Sequence, residues 1–136
     1  MPVSYRTMKF VQHTPPGINL IRRYSADSIT VGEETLRTSC IVGATTLIRD
    51  WPPQSVETLT VEHLEAIWEL KPELVVLATG AQQRFPRAAM RAEFATRKIG
   101  IEVMEIGAAC RTYNVLLSEE RRVLAAVLLP ASKGSE

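Results

Sequence analysis

The chain has 136 residues, of which 46% are hydrophobic and 23% charged, with a formal net charge of +1. That length suits one domain with a core of its own, and a near-neutral balance gives no electrostatic ground for a nucleic-acid or membrane-surface protein. No apolar run reaches the length of a membrane span, and the opening MPVSYRTMKF lacks the apolar core of a signal peptide.

In chain order, GINLIRRYS reads as an extended run after Pro15 and Pro16. SITVGEETLR reads as a tight hairpin in which Gly32 supplies a positive φ between Ile29, Val31 and Leu36. SCIV is β-branched and apolar, Gly43-Ala44-Thr45 turns the chain, and TLIRDW resumes it until Trp51-Pro52-Pro53. TVEHLEAIWEL predicts a helix capped by Thr60, with Val61, Leu64, Ile67 and Trp68 on one face and Glu62, Glu65 and Glu69 away from it. ELVVLATG is a continuous apolar run stopped by glycine, the pattern of a strand covered on both faces. FPRAAMRAEFATRK predicts a helix with Pro86 in its first turn and Gly100 ending it in the left-handed region. IEVMEIG follows as a strand, AACRTYNVLLSEE as a helix and RRVLAAVLLP as a last strand. The alternation predicts an α/β domain over 8–130 with at least one parallel crossover, extra β-hairpin structure from the first half, and flexible tails at 1–7 and 131–136.

If the runs at 73–79 and 101–106 are parallel neighbours, their carboxyl ends share an edge, where open α/β sheets bind ligands. The loops TGAQQRF (79–85) and IGAACRTY (106–113) then meet there, each opening into a helix whose first N–H groups lack partners. Candidate ligand-binding residues are Thr79, Gly80, Arg84, Gly107, Cys110, Arg111, Thr112 and Tyr113. The competing reading is structural: Thr79 and Thr112 bond backbone, Tyr113 packs its ring and pairs its hydroxyl, and Arg111 pairs with Glu102 or Glu105. Neither G-x-G-x-x-G nor a Walker sequence occurs.

Cys110, near a helix N-terminus and beside an arginine, is where a thiol could be acidified, yet no histidine lies close in sequence to serve as a base. A small, partly buried side chain is the default there, and Cys40 reads as core. Cys40, Cys110, His13 and His63 do not form a zinc spacing, so no metal or cofactor is expected, and two unpaired thiols suit a reducing cytoplasm. In the helix after Phe85, Arg84, Arg87, Arg91 and Lys98 fall along one stripe if the helix begins early, and Ala88, Ala89, Ala92 and Ala95 form a small-residue side. Such a stripe suits an acidic partner surface. RNA is disfavoured because no aromatic residues are interleaved with the basic ones.

Three stretches, LVVLATGAQQRFP, GIEVME and AACRTYNVLLSEERRVLAAVLLP, together resemble a family of small α/β domains. That family includes the mitochondrial complex I assembly factor 3 and the adipogenesis-associated domain-containing protein of animals, with many bacterial members. The resemblance runs from Gly17 to Pro130 and includes the Ser39–Val42 strand, Trp51-Pro52, Thr79-Gly80 and Arg111-Thr112-Tyr113-Asn114. It implies a three-layer fold around a central mixed sheet, and a bacterial member because a mitochondrial targeting extension is not read here. It supplies no catalytic residue. The implied function is a non-enzymatic protein-binding module, an assembly factor for a respiratory or other multi-subunit complex, with Arg87, Arg91 and Lys98 as candidate partner contacts. The alternative is a small-anion or nucleotide-type ligand at the loops after Thr79 and Ile106.

Overall fold

A computed structural model describes residues 17–130. The expected tails at 1–7 and 131–136, with His13 and the Pro15-Pro16 pair, lie outside the described residues.

Among the described residues eight strands form two sheets. β1 (Ile21–Ser25), β2 (Ser28–Val31) and β3 (Glu34–Leu36) make an antiparallel meander in that order. β4 (Cys40–Gly43), β5 (Leu47–Ile48), β6 (Leu74–Ala78), β7 (Gly100–Met104) and β8 (Val123–Val127) make a mixed sheet of order β5-β4-β8-β6-β7. β6 runs parallel to both β7 and β8, while β4 runs antiparallel to β5 and β8. The hairpin expected at Gly32 is present: Val31 pairs with Glu34, and Gly32 takes φ 60°, which a residue bearing Cβ adopts only at a cost.

The central strands explain the layering. Every residue of β8 is buried, and in β6 only Leu74 is partly exposed. Successive side chains in a strand point to opposite faces, so a strand buried throughout needs a cover on each face. Cys40, Val42, Val76, Ala78, Val123, Ala125 and Val127 face one cluster. Ile41, Val75, Leu77, Leu124, Ala126 and Leu128 face the other.

The first cover is α3 (Ile106–Ser118), through Ile106, Ala109, Cys110, Tyr113 and Leu117, together with the meander's Ile21, Ile29, Val31 and Leu36. The second cover is built from Trp51, from 3-10 turns at Val56–Thr58 and Val61–Leu64, from α1 (Glu65–Trp68) and from α2 (Ala88–Thr96). The connection β6-α2-β7 steps outward over one face, and β7-α3-β8 steps back across β6 over the other. Reversing direction while keeping the usual crossover hand puts the two helices on opposite faces.

The structure departs from the sequence reading at four places. The helix at 60–70 is a 3-10 turn followed by one α turn, and Val61, expected on its buried face, is 38% exposed. His63 Nδ1 accepts the Thr60 N–H (3.0 Å), so a side chain from within the turn caps it. α2 begins at Ala88 with Arg87 as its N-cap, so Pro86 precedes the helix rather than sitting in its first turn. Lys98, not Gly100, takes the left-handed conformation after the helix (φ 59°), and Gly100 opens β7. The two tryptophans belong to the second cover. Trp51 is buried and donates Nε1–H to the His63 carbonyl (3.1 Å), while Trp68 meets Phe94 edge-on (4.9 Å between centroids) under the Arg97 guanidinium (4.4 Å).

Ile29 is fully buried and carries the meander's apolar face into the first cluster. Ile29→Ala is expected to destabilise the protein by about 2–5 kcal/mol in urea denaturation, the range for a core cavity of this kind. A loss below about 1 kcal/mol would mean that the meander is not part of the cooperative core.

Candidate functional site

The loops after β6 and β7 lie side by side at the carboxyl edge of the parallel strands. The Thr79 N–H donates to the Met104 carbonyl (2.9 Å), and the Ile106 N–H donates to the Gly80 carbonyl (2.7 Å). Thr79 is buried and its hydroxyl staples the first loop. Oγ1 donates to the Gln82 carbonyl (2.6 Å) and accepts the Arg84 N–H (3.0 Å). Gln83 Nε2 donates to the Val103 carbonyl (2.8 Å), fastening the same loop to β7.

The second loop is shorter than the sequence suggested. α3 starts at Ile106, so Gly107 stands inside its first turn and is buried. The N-cap is Glu105, whose carboxylate accepts the Gly107 N–H and the Ala108 N–H, both at 2.7 Å. Those two bonds, the Gly107 one first, hold the Glu105 pKa below the usual carboxylate value, with a further contribution from the Arg111 charge. The helix N-terminus that could have received an anion therefore already holds one supplied by the chain.

The remaining polar groups of the cluster are engaged with the meander. Arg111 Nη1 donates to Tyr24 Oη (2.9 Å), and Nη2 stands 4.0 Å from Glu105 Oε2. The Tyr24 ring lies over Gly107, where a Cβ would come within 2.8 Å of Oη and 3.0 Å of Cε1 and Cζ, so a side chain there would push the ring aside. Tyr113 Oη donates to the Asn19 carbonyl (2.7 Å). Asn19 in turn donates Nδ2–H to the carbonyls of Gly43 and Thr46 (3.0 Å each), binding the β4–β5 turn. Asn114 pairs with one residue of β1 as a strand would: Oδ1 accepts the Ile21 N–H (3.0 Å), and Nδ2 donates to the Ile21 carbonyl (2.9 Å). Thr112 is half-buried.

Arg84 and Arg111 do not converge on a recess. Arg84 makes a loose, exposed pair with Glu57 (3.4 Å), a residue of the second cover, while Arg111 turns to Tyr24 and Glu105 on the first. The separate partners of the two arginines give no support to a common anion site.

Cys110 is buried in the first cluster, and burial pushes its thiol up to about 12. Glu105 adds to the rise and Arg111 opposes it. The same burial, with smaller contributions from Cys110 and Glu34, raises Cys40 to about 12. A helix start next to an arginine does not acidify a thiol that points into the core. Among the described residues no group of three or more His, Cys, Asp or Glu side chains is arranged to hold a metal ion. A recess of about 190 Å³ lies beside Ser39, Trp51, Leu129 and Pro130, and none of the candidate ligand-binding or partner-binding residues lines it.

Arg87 and Arg91 remain exposed, at the N-cap and in the first turns of α2, while Lys98 lies beyond the helix in its left-handed turn. The stripe expected from Arg84 to Lys98 is thus confined to the amino-terminal end of α2. Ala88, Ala89, Ala92 and Ala95 face solvent, and Met90 and Phe94 form the packed side. Sequence reasoning passed over Phe85, which is 60% exposed immediately before Pro86. It also passed over Asn19 and Tyr24, whose roles depend on contacts about ninety residues away.

These features define a small α/β domain in which a mixed five-stranded sheet is covered by a helix and a three-stranded meander on one face and by helical turns on the other. The chain belongs to the family described as Protein of unknown function (DUF498/DUF598), whose profile matches residues 21–128. It is 33% identical over 118 residues to NADH dehydrogenase [ubiquinone] 1 alpha subcomplex assembly factor 3 of Danio rerio, a match covering 85% of this chain and 67% of that protein. A Xanthomonas campestris protein solved by NMR is 37% identical, with a TM-score of 0.77 over 86% of this chain and 88% of that one. The NMR structure of a Bordetella pertussis protein described as a Mth938-like domain has a TM-score of 0.76 at 22% identity, covering 89% and 92%, a likeness of fold alone. No helix among the described residues is long and apolar enough to cross a membrane.

Two measurements check this account. Because the folded pKa of Glu105 is lowered, its cap contributes stability above the ordinary carboxylate range and loses it as pH falls through the lowered value. Glu105→Gln should therefore be less stable than wild type at neutral pH, with the gap closing towards about pH 2, where both side chains are neutral. A gap independent of pH would mean that the carboxylate charge contributes nothing to the cap. Separately, both thiols should resist a thiol reagent at neutral pH in the native protein and react fully in denaturant. Rapid native labelling of Cys110 would contradict its burial.

Proposed function

We propose that this chain is a non-enzymatic protein-binding module that helps assemble a multi-subunit complex, a respiratory one in the form its relatives' name suggests. The observation that carries the reading is the 33% identity, across 85% of the chain, to a protein named as an assembly factor of an NADH dehydrogenase subcomplex. The state of the conspicuous polar cluster adds support: Glu105, Arg111, Tyr113 and Asn114 have their partners within the chain, which leaves no free nucleophile, base or anion donor set there. The two free cysteines are compatible with a reducing compartment, and the reading takes that to be the cytoplasm.

The contact surface is assigned to the amino-terminal end of α2. Arg87 and Arg91 are exposed and form no ion pair among the described residues, whereas Arg97 is held by Glu93 (2.6 Å). Surface arginines without partners are available to an acidic surface, and Arg is enriched at interface hot spots. Lys98 stands at the far end of the helix and is a rim contact at most.

The test is affinity capture of the intact chain from its native cell, with Arg87→Glu and Arg91→Glu introduced together. Specific partners should be recovered with wild type, and recovery should fall by about tenfold or more with the double variant, since like charges across an interface cost several kcal/mol. Undiminished recovery removes the arginine surface from the reading, and failure to recover any specific partner with wild type sinks the reading itself.

A further inference from the structure

Phe85 is 60% exposed, more than Tyr24, Val61 or Val115. A single exposed apolar residue is ordinary and by itself means little. What sets this ring apart is its mount. On one side, the Arg84 N–H is held by Thr79 Oγ1 (3.0 Å), Thr79 holds the Gln82 carbonyl (2.6 Å), and Gln83 is tied to Val103 (2.8 Å). On the other side, Pro86 is buried and Arg87 caps α2. The backbone carrying the ring is fixed from both ends, so little loop-ordering cost remains to be met on binding.

The surroundings of the ring are mainly cationic. The Arg91 guanidinium stands 6.0 Å from the Phe85 centroid, and Arg84 and Arg87 are its exposed chain neighbours. Glu57, loosely paired with Arg84 at 3.4 Å, is the carboxylate that faces them, and Glu93 is engaged by Arg97.

We propose that Phe85 is the apolar anchor of the docking surface, and that its occupant is a segment of a partner protein presenting an apolar socket bordered by carboxylates. The inference rests on the partner-binding reading above and adds the partner's chemistry. Charge complementarity selects the acidic border, and an aromatic that becomes buried on binding, ringed by arginines, has the composition of an interface hot spot. A lipid surface fits less well. The bulky apolar side chains of α2, Met90 and Phe94, face the core, so among the described residues of this helix and its loop Phe85 is the ring left to enter a bilayer.

The experiment pans a display library of random peptides against the intact chain, with the Arg87→Glu, Arg91→Glu double variant as counter-selector. Enriched peptides should combine an apolar core with flanking Asp or Glu. A synthesised enriched peptide should bind in fluorescence anisotropy with a Kd that rises with salt. Phe85→Ala should weaken that binding by about thirty-fold or more, the loss typical of truncating a hot-spot residue, while Phe85→Leu keeps most of it. Unchanged thermal unfolding of both variants shows that the ring is a contact and not a support. Enrichment without acidic bias, or equal binding by Phe85→Ala, overturns the proposal. So does Phe85-dependent binding to vesicles of phosphatidylserine and phosphatidylcholine in the absence of peptide binding. If Phe85→Ala still captures the cellular partner that the arginine double variant loses, the partner-binding reading stands and the anchor falls.

Discussion

The architecture depends on the two-sided burial of β6 and β8. A strand that is apolar at every position cannot lie at a surface, so the chain has to cover the sheet twice. α2 and α3 cannot do this alone: α2 is nine residues long and presents only Met90 and Phe94 to the core, and α3 is a single helix crossing a five-stranded sheet. The remainder of each cover is supplied by the first half of the chain. The meander completes the face shared with α3, and the segment from Trp51 to Trp68 completes the face shared with α2.

That division of labour explains why α3 carries so many polar groups. The meander is not hydrogen-bonded to the main sheet as a continuing strand, so its edge needs partners from elsewhere. Asn114 provides them at Ile21 by using a side-chain amide in place of a strand, and Tyr113 provides one at Asn19. Tyr24 reaches across to Arg111, and Gly107 gives its ring room to do so. Arginine, tyrosine and asparagine in Arg111-Thr112-Tyr113-Asn114 thus fasten one layer to another. Buried polar groups carry a desolvation cost unless paired, and Tyr113 and Asn114 pair with the backbone of the segment that has to be held.

Much of the fold was legible in the sequence because it follows from short-range pattern. The apolar run at Leu74–Ala78, the turn at Gly32 and the alternation of strand and helix after Glu73 each follow from a few consecutive residues. Helix ends were harder. Lys98 takes the left-handed turn that Gly100 seemed designed for, because the strand register with Leu74 places Gly100 in β7. Val61 looked buried on a helical wheel, but the segment winds as a 3-10 turn, which shifts the facing residues. The polar cluster was legible as a cluster but not in its meaning. Glu105 reads locally as the end of a strand, and whether Arg111 meets a ligand or Tyr24 is decided by a contact 87 residues away.

Once those internal partners are assigned, the distribution of the remaining unsatisfied chemistry becomes informative. At the carboxyl edge of the parallel strands, where α/β domains usually place a ligand, the N–H groups of Gly107 and Ala108 are closed by Glu105. A small molecule arriving there would have to displace a charge-assisted cap at 2.7 Å. A few residues along the same edge, the loop after Thr79 is fastened through its backbone and through Gln83, while Phe85, Arg87 and Arg91 are left outward. The scaffold that usually shapes a pocket here holds an exposed ring on a fastened loop. The ring is 60% exposed, and the arginines beside it make its rim cationic. On the proposed partner-binding reading, that ring and rim are the part that enters a hollow on the other protein.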